Sequence, residues 1–176
     1  YVVSGYSVVR AIDAVSGRQL WVYDPQTWAS PESRRMRMAW GTRGIAWWQG
    51  RIYVGTVDGR LIAIDAKTGK EQWSQQTLKP GDPTYITGAP RVFDGKVIIG
   101  FGGADFGPVR GYVSTYDAAS GKLLWRWYTV PGDPEKGVEY AGVTVAEDLK
   151  TSTAEITSLY QRKGQPDGRI DVIVET

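Results

Sequence analysis

The sequence predicts an all-β chain of successive four-stranded antiparallel sheets, the blades of a β-propeller, with about three blades in 176 residues and the first blade partial. Three observations carry this. Residues 11–21 (Ala-Ile-Asp-Ala-Val-Ser-Gly-Arg-Gln-Leu-Trp) recur as 63–73 (Ala-Ile-Asp-Ala-Lys-Thr-Gly-Lys-Glu-Gln-Trp) and as 115–125 (Thr-Tyr-Asp-Ala-Ala-Ser-Gly-Lys-Leu-Leu-Trp). The aspartates fall at 13, 65 and 117 and the tryptophans at 21, 73 and 125, so both series step by 52 residues. A fixed step of this size signals a repeat architecture and outranks any local reading. Between the copies lie short strand-like runs separated by turn dipeptides such as Gln49-Gly50 and Asp58-Gly59.

Each copy has a mechanical reading. An alternating strand, as in Leu61-Ile62-Ala63-Ile64-Asp65, ends at Asp-Ala. A tight turn follows, in which Gly69 takes the positive φ that a bulged hairpin needs. The Asp carboxylate accepts hydrogen bonds from the turn amides. The next strand runs out through Trp73, whose ring docks on the neighbouring blade. Trp21, Trp73 and Trp125 are therefore expected to be largely buried at equivalent places.

In chain order, the partial blade covers 1–24, with strands over 1–4, 7–13 and 19–23. With Asp13 laid on Asp65, Tyr1 falls on Tyr53 without a gap, so the chain is expected to begin inside a blade and to be a fragment, without a signal peptide. A long connection from 24 to about 42 holds Pro25, Pro31 and the basic run Arg34-Arg35-Met36-Arg37. Two readings of that run stand: a solvated loop, or a loop that faces an anion. The second blade, 43–76, has strands over 44–48, 51–56, 60–65 and 71–75. The third, 89–129, has strands over 90–93, 96–100, 111–117 and 122–128. Blades are assigned to 1–135. Residues 136–176 carry no repeat signal; a short helix over 153–161 and a strand over 169–174 are expected there.

The even step of 52 hides two compensating changes. Arg51 to Asp65 is 14 residues, but Lys96 to Asp117 is 21. Trp21 to Arg51 is 30 residues, but Trp73 to Lys96 is 23. In an up-and-down blade, the connection into the first strand and the hairpin between strands two and three share one face. The Asp turns share the other. The length variation is thus on one face, where a rigid scaffold carries its binding loops.

Composition excludes several chemistries. With no Cys and no His, structural zinc sites, thiol nucleophiles and His-based triads are absent. A net charge of +2 does not suggest a nucleic-acid partner. No apolar run reaches transmembrane length. What remains is the loop face. Gly102-Gly103-Ala104-Asp105 permits close backbone approach to a ligand and presents one carboxylate suited to Ca²⁺; the alternative is an exposed Asp on a loose Gly-rich hairpin. Arg43, at the start of the second blade's innermost strand, reads as an anchor for a multi-carboxylate ligand or as a surface salt bridge. Thr87 enters the third blade at the equivalent place and can donate one hydrogen bond.

Residues 58–70 (Asp-Gly-Arg-Leu-Ile-Ala-Ile-Asp-Ala-Lys-Thr-Gly-Lys) resemble the pyrroloquinoline-quinone (PQQ)-dependent alcohol dehydrogenases. So do 86–92 (Ile-Thr-Gly-Ala-Pro-Arg-Val), 96–112 with the Gly102–Asp105 loop inside, and 129–134 (Thr-Val-Pro-Gly-Asp-Pro). The resemblance covers about 1–140. It implies an eight-bladed propeller, usually periplasmic, that oxidises alcohols with PQQ and a Ca²⁺ or lanthanide ion. It further implies an electron acceptor such as a cytochrome c. By this likeness Arg43 contacts the quinone, Thr87 hydrogen-bonds it, Gly102, Gly103 and Ala104 line it, and Asp105 ligates the metal. Where the family has an adjacent Cys pair covering one quinone face, this chain has Arg37-Met38, and Met38 is the candidate cover. The family's Asn before the Arg is Thr42 here, and its metal-binding Glu is Asp105. The catalytic base is expected from later blades, so none is assigned in this chain and the isolated 176 residues are expected to be inactive. The competing reading is a non-catalytic propeller of the same repeat type acting as a protein-interaction scaffold, as in outer-membrane assembly lipoproteins.

Overall fold

The turns divide the chain into strands close to the expected bounds. A computed structural model describes residues 1–31, 33, 41–106, 109–129 and 140–141. Strands β1 (Val2–Ser4), β2 (Val8–Ile12) and β3 (Gln19–Tyr23) form a three-stranded sheet. Strands β4 (Ala46–Trp48), β5 (Arg51–Gly55), β6 (Arg60–Asp65) and β7 (Glu71–Gln76) form a four-stranded sheet in chain order. Strands β8 (Arg91–Phe93), β9 (Lys96–Ile99), β10 (Tyr112–Asp117) and β11 (Leu123–Tyr128) form the next, and β12 (Tyr140–Ala141) adds a fifth strand outside β11. That fifth strand was not expected from the repeat; it pairs Ala141 with Arg126 and Tyr140 with Trp127. All described pairings are antiparallel.

The repeat is structural down to single atoms. Ala11 pairs with Trp21, Ala63 with Trp73 and Thr115 with Trp125, each just before a register shift. Gly17, Gly69 and Gly121 take φ of 70°, 73° and 72°, the left-handed region that favours glycine. The Asp65 carboxylate accepts from the amides of Lys67 and Thr68 (3.1 and 2.7 Å) and from the Thr68 hydroxyl (2.7 Å). Asp13 and Asp117 repeat the pattern with Ser16 and Ser120.

These bonds favour the ionised carboxylates. The Ser16 amide is the main cause at Asp13, and the Thr68 and Ser120 hydroxyls at Asp65 and Asp117; all three are held below the ordinary value of 3.8. A depressed folded-state pKa contributes stability that is complete above the unfolded value and is lost as pH falls through the folded value. Urea midpoints are therefore expected to fall on acidification below about pH 4. Asp65→Asn should lower the midpoint at neutral pH and flatten this acid dependence. An acid dependence identical to wild type would show that the Asp65 carboxylate does not couple to folding.

Successive sheets stack through apolar faces. Val9 meets Ile52, Val54, Ile62 and Ile64 in one cluster; Tyr53, Leu61 and Ala63 meet Val97, Ile99, Tyr116 and Ala118 in the other. The middle sheet is thus covered on both faces. This corrects the reading of 61–64 as an alternating strand: it is a continuous apolar run, as sheets buried on both sides require.

The tryptophans tie each sheet to the next. Trp21 Nε1 donates to the Ala66 carbonyl (3.1 Å) and Trp73 Nε1 to the Ala118 carbonyl (3.2 Å). Tyr1 and Tyr53 hydroxyls donate to the same two carbonyls. A Cβ on Gly69 would lie 2.7 Å from the Trp21 ring, and one on Gly121 2.7 Å from the Trp73 ring. The expectation of largely buried tryptophans needs correction: all three are half-buried. The Trp21 and Trp73 rings lie over the turns at Gly69 and Gly121, so one side of each is covered and the other meets solvent. Among the described residues no helix is long and apolar enough to cross a membrane.

Candidate functional site

The face opposite the Asp turns collects the segments of variable length. Arg43 stands just before β4 rather than inside it, and Thr87 stands four residues before β8. The Arg43 amide donates to the Thr87 carbonyl (2.8 Å), which ties the two inward connections together. Arg43 Nη1 also donates to Thr87 Oγ1. Thr87 is buried (4% exposed) whereas Arg43 is exposed. Accepting from Arg43 leaves the Thr87 hydroxyl its own hydrogen to donate, and a guanidinium has five N–H donors, so both groups retain donor capacity. Beside them, a Cβ on Gly88 would meet nothing within 4 Å.

The Gly-rich loop is docked on the same connection. Tyr85 and Gly102 form an isolated antiparallel bridge, with amide-to-carbonyl bonds of 3.1 and 2.9 Å. A Cβ on Gly102 would lie 2.8 Å from the Tyr85 ring. Gly103, at φ +97°, is buried so closely that a Cβ would stand 2.2 Å from the Pro83 carbonyl oxygen. Glycine is therefore required there by backbone contact as well as by conformation. The chain then turns through a single 3₁₀ turn, Ala104–Phe106, which presents Asp105 exposed at its middle.

Of the residues expected at the site, Arg43 and Thr87 are in direct contact. Gly102, Gly103 and Ala104 form the loop that leads to Asp105. Met38 lies outside the described residues, as do Arg37 and the rest of the basic run. Among the described residues no three His, Cys, Asp or Glu side chains gather to hold a metal ion, so Asp105 stands as a single carboxylate.

Sequence reasoning did not single out Tyr85 or Ser7. Tyr85 had a signal, an aromatic two residues before Thr87 in a segment that must meet a Gly-Gly loop. Ser7 had none. It is buried at φ 59°, with Oγ 3.3 Å from Thr42 Oγ1 and donating to the Gly55 carbonyl (3.3 Å). It thereby fixes the residue before Arg43.

The PQQ family model, the β-propeller domain of glucose/ethanol/alcohol dehydrogenases, matches residues 1–154. Quinohemoprotein alcohol dehydrogenase ADH IIB of Pseudomonas putida is 57% identical over 140 residues, covering 80% of this chain and 20% of that protein. The crystal structure of quinohemoprotein alcohol dehydrogenase from Comamonas testosteroni superposes with a TM-score of 0.69 at 48% identity, covering 88% of this chain and 22% of that one. A europium-containing methanol dehydrogenase also superposes at 0.69, with 34% identity over 77% of this chain and 24% of that one. The chain spans about a fifth of the length of the curated relatives it matches. With its blade repeats and its loop face both inside the matched region, the chain belongs to the β-propeller domain family of the glucose/ethanol/alcohol dehydrogenases.

Proposed function

We propose that this chain supplies one wall of the cofactor site of a PQQ-dependent dehydrogenase that oxidises alcohols to aldehydes with a Ca²⁺ or lanthanide ion. The observation that carries the reading is the Arg43–Thr87 contact beside a loop that ends in Asp105 and is docked on the Thr87 connection. The residues present fit one side of such a group. Arg43 and Thr87 are donors suited to carboxylate and carbonyl oxygens. Gly88 leaves open space beside them. Asp105 offers a hard oxygen ligand, one of the six to eight that Ca²⁺ takes. When bound, the quinone accepts two electrons from the alcohol and the metal polarises the quinone carbonyl. The chain's own residues bind and orient: Arg43 holds the anionic edge, Thr87 donates one hydrogen bond, Gly102, Gly103 and Ala104 keep the loop close, and Asp105 neutralises the cation. None of the described residues is assigned the catalytic base. A periplasmic location and a cytochrome c as electron acceptor are the expected setting.

Similarity to alcohol dehydrogenases across the blades and the loops supports this reading over the non-catalytic scaffold. Reconstitution of the full-length protein with PQQ and Ca²⁺ or La³⁺ tests it. The expected result is metal-dependent quinone binding with dye-linked oxidation of primary alcohols. Arg43→Ala should weaken quinone binding by about 1.5–3 kcal/mol, the range for a hydrogen bond to a charged group. Absence of quinone binding at about micromolar concentration, with either metal present, would overturn the reading and favour the scaffold.

A further inference from the structure

We infer that Arg126, on strand β11, is a positioning residue for the Asp105 loop, acting through Tyr112 and Phe101. The inference rests on the proposed role of Asp105 as a metal ligand.

Phe101 directly precedes Gly102, and its ring lies 4.4 Å from the ring of Tyr112, centroid to centroid. The two rings are tilted by 55°, and the Arg126 guanidinium sits 3.9 Å from the centre of the Tyr112 ring, so Tyr112 is in contact with both the cation and Phe101. Arg126 is fixed in turn by Nε donating to Ser114 Oγ (2.9 Å), its cross-strand partner, and by Nη2 donating to the Thr77 carbonyl (3.1 Å). The Tyr112 hydroxyl donates to that same carbonyl (3.0 Å). Thr77 opens the connection that carries Pro83, Tyr85 and Thr87, and its own hydroxyl donates to the Gly59 carbonyl (2.8 Å).

Arg126 therefore touches both supports of the loop. On one side it holds Tyr112, against which Phe101 packs. On the other it clamps the start of the segment on which Gly102 and Gly103 are docked. Ala104 is close as well, since a Cβ on Gly111, the residue before Tyr112, would lie 4.0 Å from the Ala104 Cβ. A carboxylate on a short exposed turn binds a cation well only if its backbone is held before the ion arrives, because ordering it afterwards costs affinity.

The test uses the full-length apoprotein with PQQ present, titrated with Ca²⁺ and separately with La³⁺ by calorimetry. Arg126→Met should weaken metal binding about 10–100-fold, the usual effect of losing an outer-shell partner, and should leave kcat near wild type at saturating metal. Arg126→Lys, which keeps the cation over Tyr112, should recover much of the affinity. Lys96→Met removes an ion pair from the same sheet on the opposite face, with Asp94 (2.8 Å), and should leave metal affinity unchanged. If Arg126→Met does not fold, Phe101→Leu carries the same expectation from the loop's end of the Arg126–Tyr112–Phe101 contacts. Wild-type affinity in Arg126→Met or Phe101→Leu would overturn the positioning role alone. An equal loss in Lys96→Met would overturn it too, by showing a general stability effect. A wild-type protein that binds no metal would sink this inference together with the cofactor reading.

Discussion

Asp105→Ala in the full-length protein should abolish metal binding and, with it, metal-dependent quinone binding, while the thermal midpoint of the metal-free protein stays at the wild-type value. The physical basis is the separation of the loop's anchors from its ligand. The loop is held by backbone, through the Tyr85–Gly102 bridge and the close approach of Gly103 to Pro83, and by the Phe101 ring against Tyr112. The Asp105 side chain is exposed and contributes to none of these. Its removal takes away a charged oxygen ligand, which should cost more than the 10–100-fold typical of outer-shell partners. Asp105→Glu keeps the carboxylate with one more methylene and should retain binding, since Ca²⁺ tolerates flexible, irregular coordination. Calorimetric titration of metal, with and without PQQ, reads both variants. Unchanged affinity in Asp105→Ala would remove this residue from the site.

The largest effect on stability is expected from Trp73→Ala. Trp73 belongs to the middle sheet and reaches the third. Its ring covers Gly121, its centroid lies 5.9 Å from that of Tyr53, and its Nε1–H is bonded to the Ala118 carbonyl. Truncating a fully buried Trp costs about 3–5 kcal/mol; Trp73 is half-buried, so about 2–4 kcal/mol is expected here. Trp73→Phe keeps most of the ring and loses one hydrogen bond, about 1 kcal/mol. The loss should be localised, because each sheet depends on its neighbours in a stacked repeat. Hydrogen exchange should show reduced protection at amides of β9 and β10 before those of β2. A Trp73→Ala variant as stable as wild type would show that docking of this ring is not what holds adjacent sheets together.

The sequence by itself determined the three successive sheets, the bounds of β1 to β11 to within a residue or two, and the equivalence of Asp13, Asp65 and Asp117. These depend on local rules: a glycine at positive φ, an Asp that caps its own turn, and a step of 52 residues that can be read without coordinates. It also marked the loop face, because an insertion of seven residues against a deletion of seven is arithmetic along the chain. Only the tertiary structure decided which parts of that face meet. Arg43 and Thr87 are 44 residues apart, and their contact exists because successive sheets bring their inward connections side by side. The docking of Gly102 on Tyr85 depends on the course of two connections, which no periodicity encodes. The burial of 61–64 on both faces likewise follows from having a sheet on either side. The role of Trp73 shows the division most clearly. Its position is periodic and was legible, whereas its half-exposure follows from a ring that lies across a turn at the rim, a fact of packing between sheets rather than of any strand within them.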